Sequence, residues 1–412
     1  MYDFSFNIRS LNREISASDF AAMQELNDPV FRSKILNYAV NYADAGFDNL
    51  FLERNLVRGR DLYQYSSFSK ELLLRKLSRN IKILTQVSQS DRDTIIRSLI
   101  ALLGEGEDYR VYKLDIKNFY PALDRMHIDH LLRSDSRFPP TSYRVWQSFS
   151  HSLASKSIPG LPPGLSLSAT LSEYAMKEFD RQVTNLPGVY YFARYVDDMV
   201  VLTVGQNDEA IFLNAVAEHL PKGLHLNPKK TKSVSICGKS KDSPVLDGAF
   251  DFLGYQLSIS TKYKCDNRFV REVKTDIAEK KISRLKTKIA LSLLDFINGG
   301  SFQDLEDRFK LITGNYHIYD HGRNFRRNVG IYYNYSRISP GSSAGFDKLD
   351  AFLRSILLSR QGNICNRLYA ILSNNQRRIL LKYTFNSSFK NRTHYHFNAD
   401  RLSQLIKCWK YE

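Results

Sequence analysis

In residues 190–204, YYFARYVDDMVVLTV, two stretches of β-branched and aromatic residues flank a short polar interruption. Such stretches predict strands, and the interruption predicts a hairpin with Asp197 and Asp198 at its tip. A second strand-like run ends in Lys113-Leu114-Asp115-Ile116. Elsewhere the rhythm is mostly helical. Residues 1–60 mix short apolar helices with charged turns. Residues 69–103 keep a strong helical period, with Arg75, Lys76, Arg79, Lys82, Arg92 and Arg97 along it. A strand-like segment is expected to begin at Arg79-Asn80-Ile81, and 91–103 reads as a helix. At 157–180 a Gly/Pro-rich loop runs into an amphipathic helix. Residues 223–234 close a helix and enter a strand, which brings Lys229, Lys230 and Lys232 together, and 250–258 reads as a hairpin. One basic amphipathic helix is predicted over 265–296, stopped by Asn298-Gly299-Gly300, and the C-terminal remainder is mostly helical. The chain has no internal repeat or low-complexity tract.

The adjacent pair Asp197-Asp198 taken alone is better explained by a solvated turn, since Asp-Asp turns are common. Neighbouring carboxylates repel, and burying them costs desolvation energy unless a cation compensates. Asp115, at the end of another apolar strand, changes that weighting. Three carboxylates on strand ends can hold two Mg²⁺ ions, which clamp the attacking and leaving oxygens of a phosphoryl transfer. Gly160 and Gly164 permit close backbone approach to a ligand, although Gly/Pro clusters are more often plain loops. Ser166 and Ser168 at the following helix start suit an anion or a sugar.

Charge adds a partner to this chemistry. The net charge is +16 over 412 residues, but residues 1–260 hold 31 Lys+Arg against 30 Asp+Glu, and residues 261–412 hold 28 against 13. A nearly neutral body with a +15 C-terminal third suits a polyanion bound by that third, or else a basic solvated helical surface. The Arg323, Arg326, Arg327 group, interleaved with tyrosines across 308–338, suits phosphate pairing and base stacking. Hydrophobic content of 43% and aromatic content of 12% are globular values. Cys237, Cys265, Cys365 and Cys408 lie far apart with no metal-ligand spacing, so reduced thiols are expected. With no apolar signal core and no run long enough to span a bilayer, a soluble cytoplasmic protein is expected.

The order of these segments resembles the palm blocks of reverse transcriptases over roughly residues 75–260. Asp115 resembles the first metal-binding aspartate, with Ile116 beside it in the metal and nucleotide set. Gly160-Leu161-Pro162-Pro163-Gly164 resembles the template- and nucleotide-positioning loop, and Tyr195-Val196-Asp197-Asp198 the signature hairpin. Lys230 matches the lysine that assists pyrophosphate departure. Phe252-Leu253-Gly254-Tyr255 resembles the primer grip. Most relatives carry Gln where this chain has Pro163, which offers neither a backbone N–H nor a polar side chain. LITGNY and GIYYNYSRI beyond the palm, with GLSLSATLSE within it, are similar to bacterial defence-associated reverse transcriptases of the abortive-infection or unknown groups. The first of the two polymerases in type 3 systems is the nearest likeness. Ile312-Thr313-Gly314 is similar to a thumb signature of retron enzymes, whose Asn-Ala-x-x-His signature is missing here.

The resemblance implies an α+β right-hand polymerase. An N-terminal extension and helical fingers occupy 1–112, an antiparallel-sheet palm 113–260, and a basic helical thumb 261–412. It implies RNA-directed DNA synthesis with two Mg²⁺ ions, dNTPs and a DNA product. The expected template is a dedicated non-coding RNA, in antiphage defence, and a second reverse transcriptase or a homo-oligomer is a possible partner. Asp115, Asp197, Asp198 and Lys230 would be catalytic. Arg79, Ile116, Phe119, Tyr120 and Gly164 would face the nucleotide, with Tyr120, five positions after Asp115, under the sugar. Phe252, Gly254, Tyr255, Arg323, Arg326 and Arg327 would contact RNA or primer. Two rival readings stand beside it: polymerisation without a copied template or from a protein hydroxyl, and a non-catalytic RNA-binding scaffold.

Overall fold

The computed structural model describes residues 2–50, 52–57, 59–205, 208–240, 243–265, 268–320, 325–339 and 343–409. The fold is α+β, with antiparallel sheets and helices in each of two compact units. Neither unit is a single stretch of chain. The first holds residues 1–91 and 109–233; the second holds 92–108, 234–320 and the chain from 325 onward.

The first unit opens with helices, among them Pro29–Ala45, started by Asp28 as N-cap with Pro29 in the first turn. The hairpin β1 (Leu52–Val57) and β2 (Arg60–Tyr65) follows. Its sheet is built from β3 (Tyr109–Asp115), β4 (Val189–Tyr195) and β5 (Asp198–Val204), with β5 between the other two. Met199, Val200, Val201 and Leu202 of β5 are all buried, so this central strand reads as a continuous apolar run rather than an alternation. Helices Phe68–Thr85, Pro140–Ser155 and Ser166–Thr184 supply the rest of one core, including Leu72, Leu77, Trp146, Phe149, Leu171 and Phe179.

The strand-like segment expected at Arg79-Asn80-Ile81 is helical. Leu73, Leu77 and Ile81 recur every fourth residue, and no Gly or Pro interrupts Phe68–Thr85, so the helical phase runs through. The helix before residue 223 also ends earlier than expected. It spans Glu209–Glu218, and Pro221, Gly223 and Pro228 keep the following stretch irregular until β6 (Lys232–Ile236), which carries the chain into the second unit.

In the second unit β7 (Leu246–Phe252) and β8 (Tyr255–Ser260) form the hairpin expected at 250–258. The stretch predicted as a single helix over 265–296 is in fact divided among four elements. β9 (Tyr263–Cys265) pairs with β10 (Arg268–Val270), then β11 (Val273–Ile277) joins β8, and only Glu279–Ile297 is helical. Thr275 and Ile277 are buried two residues apart, a period of two hidden among the basic residues. Helix Phe302–Thr313, the hairpin β12 (Asn315–Asp320) and β13 (Phe325–Gly330), and helix Ala344–Leu358 follow.

Candidate active site

β3 and β5 run antiparallel in a register that sets Asp115 opposite Asp198. On the other edge of β5, Tyr195 of β4 faces the same Asp198, so Val196 and Asp197 form a two-residue turn. Such turns need a positive φ to follow the strand twist. Here Val196 supplies it at φ 61°, a conformation that a β-branched side chain seldom adopts and that costs about 1–3 kcal/mol. The turn is tied down on two sides. The Ile116 N–H donates to the Asp197 carbonyl at 3.2 Å. Arg194 Nη1 donates to the Val196 carbonyl at 3.2 Å, while the same guanidinium pairs with Glu173 and Asp180 of helix Ser166–Thr184, each at 2.7 Å.

Asp115 is 3% exposed and fully engaged. Lys230 Nζ donates to its two oxygens at 2.8 and 3.0 Å, and Asn227 Nδ2 donates at 3.1 Å. The Asn227 N–H also donates to the Asp115 carbonyl at 2.7 Å, which fixes the 225–231 loop beside the strand end. Burial, followed by the charge of Asp197, pushes the Asp198 carboxyl above its usual range. A cation among these groups would relieve that repulsion. The three carboxylates, with the main-chain oxygen of Ile116 next to them, are hard oxygen donors of the kind Mg²⁺ takes. The Ile116 side chain is apolar and buried, so only its main chain can serve.

A cavity of about 610 Å³ opens onto these groups. Asp115, Asp197, Asn227 and Lys230 line one side, and Lys117, Asn118, Phe119 and Tyr120 continue the wall. Opposite them stand Pro159, Pro162, Pro163 and Gly164 of the loop, together with Asp61, Leu62 and Tyr63 of the β1–β2 hairpin. The loop is anchored at both ends. The Leu161 N–H donates to the Tyr120 carbonyl, and the Tyr63 N–H to the Pro163 carbonyl, both at 2.9 Å. Gly164 has φ 101°, and a Cβ there would lie 2.7 Å from the Tyr63 carbonyl; at Gly160 it would lie 2.4 Å from that of Pro121. These two glycines are demanded by main-chain contact within the loop's own surroundings.

Tyr120 is half-buried in the cavity wall, and burial raises its phenol pKa. Phe119 is only 4% exposed and belongs to the core. Arg79 does not line the cavity: it lies on the outer face of helix Phe68–Thr85 and pairs with Glu14 at 3.3 Å. Lys117 stands in the wall, a cation that sequence reasoning passed over. Asn227, in HLNPKK, and Arg194, in FARYVDD, were also missed. An arginine inside an otherwise apolar strand was the available signal for the second, since such a charge must be paired.

The residues likened to a primer grip lie in the second unit. Phe252 and Tyr255 are 1% and 2% exposed, and their rings pack inside rather than offering a stacking surface. Leu253 and Gly254 make the two-residue turn between them, and Arg92 Nε donates to the Leu253 carbonyl at 2.9 Å. Contact from the turn itself would fall to its main chain and to Leu253, which is half-buried. Arg326 and Arg327 are exposed on β13, where Arg326 faces Tyr319 across the hairpin. Arg323 lies outside the described residues.

Residues 72–257 match the family described as reverse transcriptase (RNA-dependent DNA polymerase). No curated protein matches the chain in sequence. Among solved structures, apo telomerase from Candida tropicalis truncated from its C-terminal domain is similar at 14% identity and a TM-score of 0.35. That similarity covers 56% of this chain and 55% of the telomerase chain, so the chain spans a little over half of that structure. No helix among the described residues is long and apolar enough to cross a membrane. The stretch that matches the reverse transcriptase family, residues 72–257, is thus the one that carries Asp198 and sets Asp115 and Asp197 in the wall of one cavity.

Proposed function

We propose that the chain is an RNA-directed DNA polymerase that copies a dedicated non-coding RNA into cDNA in bacterial antiphage defence. One observation carries the chemistry: the register that sets Asp115 against Asp198, with Asp197 in the turn, at the wall of a cavity large enough for a nucleotide. In the reaction a primer 3′-hydroxyl attacks the α-phosphate of a dNTP, a new P–O bond forms, and pyrophosphate leaves. Two bound Mg²⁺ ions would supply electrostatic stabilisation of the pentavalent transition state and lower the pKa of the attacking hydroxyl. Asp115, Asp197 and the Ile116 carbonyl would hold them, and Asp198 would support the set from the strand behind. Lys230 reaches the same carboxylate and the cavity, so its ammonium is placed to offset charge on a departing pyrophosphate. Fingers over 1–112, palm over 113–260 and thumb over 261–412 are the functional regions of this reading. The defence role and the likeness to type 3 systems rest on LITGNY, GIYYNYSRI and GLSLSATLSE; a second polymerase or another copy of the chain is the partner that likeness implies.

The test is synthesis by the purified protein with its co-purifying RNA, supplied with each dNTP, followed by sequencing of both the RNA and the product. A cDNA complementary to the RNA is expected. A product of unrelated sequence would favour untemplated or protein-primed addition. That second reading draws on Pro163, which lines the cavity with an apolar ring while its carbonyl receives the Tyr63 N–H. No product of any kind would leave an RNA-binding scaffold.

Sugar choice follows from the cavity wall. Tyr120→Ala is expected to raise the rNTP/dNTP incorporation ratio about 10–200-fold, the range that one steric contact commands in a pocket. Phe119→Ala should instead lose about 3–5 kcal/mol of stability with the ratio unchanged. Single-nucleotide extension and urea unfolding separate the two; an unchanged ratio in a folded, active Tyr120→Ala protein would remove Tyr120 from the sugar contact.

The exposed arginines of β13 give a second expectation. Replacing Arg326 and Arg327 with Gln should weaken RNA binding and reduce the slope of log K against log salt by about one for each lost phosphate contact. Titration between low and physiological salt measures it, and an unaltered slope would mean these arginines are merely solvated.

A further inference from the structure

His317 stands in β12, and His394 and His396 alternate along the extended stretch that follows helix Phe385–Lys390. Asn315, fully buried, joins the two segments. Its N–H and its Nδ2 donate to the Thr393 carbonyl at 2.9 and 3.0 Å, and its carbonyl receives the Tyr395 N–H at 2.7 Å. Asn315 and His394 are therefore bridge partners in a parallel pairing. Residues two apart on an extended chain share a face, so this pairing gathers His394 and His396 from one segment and His317 from the other.

One ring nitrogen from each histidine lies within 4.8 Å of the other two. The His317 and His394 rings are 4.1 Å apart between centroids, with His396 at 5.8 and 5.4 Å. His317 Nδ1 and His394 Nε2 are both buried with no hydrogen-bond partner. Native proteins rarely leave two such atoms unsatisfied side by side, and a bound ion is one of the few physical explanations. We propose that His317, His394 and His396 bind a divalent transition-metal ion of the Zn²⁺ class.

A metal held at 2.0–2.1 Å in tetrahedral geometry sets its ligand nitrogens roughly 3.4 Å apart, so small ring rotations close the site. Imidazole ligands select zinc, cobalt, nickel or copper and not magnesium, so this site is chemically unlike the carboxylate set of the first unit. His396 is exposed, which leaves the fourth position to water or to a group from outside. The ion would clip the 393–396 segment to the hairpin that carries Arg326 and Arg327.

The experiment uses the full chain freed of metal by a chelator and titrated with Co²⁺ alone, then with Zn²⁺. One equivalent of Co²⁺ should bind with the visible absorption of tetrahedral nitrogen ligation, and Zn²⁺ should abolish that absorption. The signal should persist in the double variant Asp115→Asn/Asp197→Asn, which separates it from the acidic site. His396→Ala changes an exposed residue and should stay folded. It should weaken binding by more than the roughly 10–100-fold lost when a supporting hydrogen bond of a metal site is removed. His394→Ala should do the same. Absence of saturable binding in the unaltered protein would overturn the proposal, as would binding that His396→Ala and His394→Ala leave unchanged.

Discussion

Asp197→Asn is expected to lower nucleotide addition by about 10³-fold or more while thermal stability and RNA binding stay near their original values. Asn keeps the shape of the side chain and loses the charge that holds a divalent cation, and such a cation contributes several kcal/mol of transition-state stabilisation. At 1.36 kcal/mol per factor of ten, the loss of one metal-holding carboxylate reaches that scale. The fold should tolerate the change because the turn is fixed by main-chain contacts. The Asp197 carbonyl, not its carboxylate, receives the Ile116 N–H, and Arg194 grips the neighbouring Val196 carbonyl. Removing one of two adjacent acids should even relieve the repulsion that pushes Asp198 up. Single-turnover extension, with a salt titration of RNA binding as control, decides the matter. Normal synthesis by the variant would place the polymerase chemistry elsewhere.

Arg194→Met should destabilise the first unit by about 3–5 kcal/mol, the usual cost of removing one partner from a buried ion pair. The guanidinium side chain is 4% exposed and answers both Glu173 and Asp180, whose side chains are 13% and 31% exposed. Burial already raises the Glu173 carboxyl above its ordinary value, with Arg194 opposing that rise. Without the arginine the upward shift grows. A carboxyl whose folded pKa lies above its unfolded value of about 4.3 adds stability below that value and loses it as pH rises through the folded pKa. The deficit of Arg194→Met should therefore be smaller at pH 5 than at pH 8. Urea unfolding at the two pH values measures it, and an equal deficit at both would show that Glu173 is not left charged and buried. Arg194 is a positioning residue: it acts on the Asp197 turn through Val196, and extension by the folded variant should fall as well.

The parts of the site visible in the sequence are those fixed by short-range pattern. The hairpin of 190–204 announces itself because Met199–Leu202 is uninterruptedly apolar and the Asp pair can only be a turn or a strand end. β3 is read for the same reason, and Asp115 falls at its end. The pairing of Asp115 with Asp198 is a different matter, since 82 positions of intervening chain say nothing about register. Lys230 was identified by likeness, but its partner Asn227 was not, because a loop Asn looks like any other until its carbonyl neighbour is known. The failures at 79–81 and 265–296 have opposite causes. In the first a helical period of four continued under basic residues; in the second a strand period of two was hidden by them. The three histidines were illegible because 76 residues separate His317 from the nearest of its companions.

Because helix Arg92–Leu103 belongs with elements that begin only after residue 233, the chain cannot be trimmed at a functional boundary without injury. During synthesis that helix emerges well before Leu253 and Arg337, which bind its Arg92 and Asp93, exist. A fragment ending at residue 260 would keep all three carboxylates and yet lack Ser336 and Arg337, whose side chains hold Asp93 of that helix. Such a fragment should be less stable, so inactivity in a C-terminal deletion would report on folding and say little about what the deleted third does.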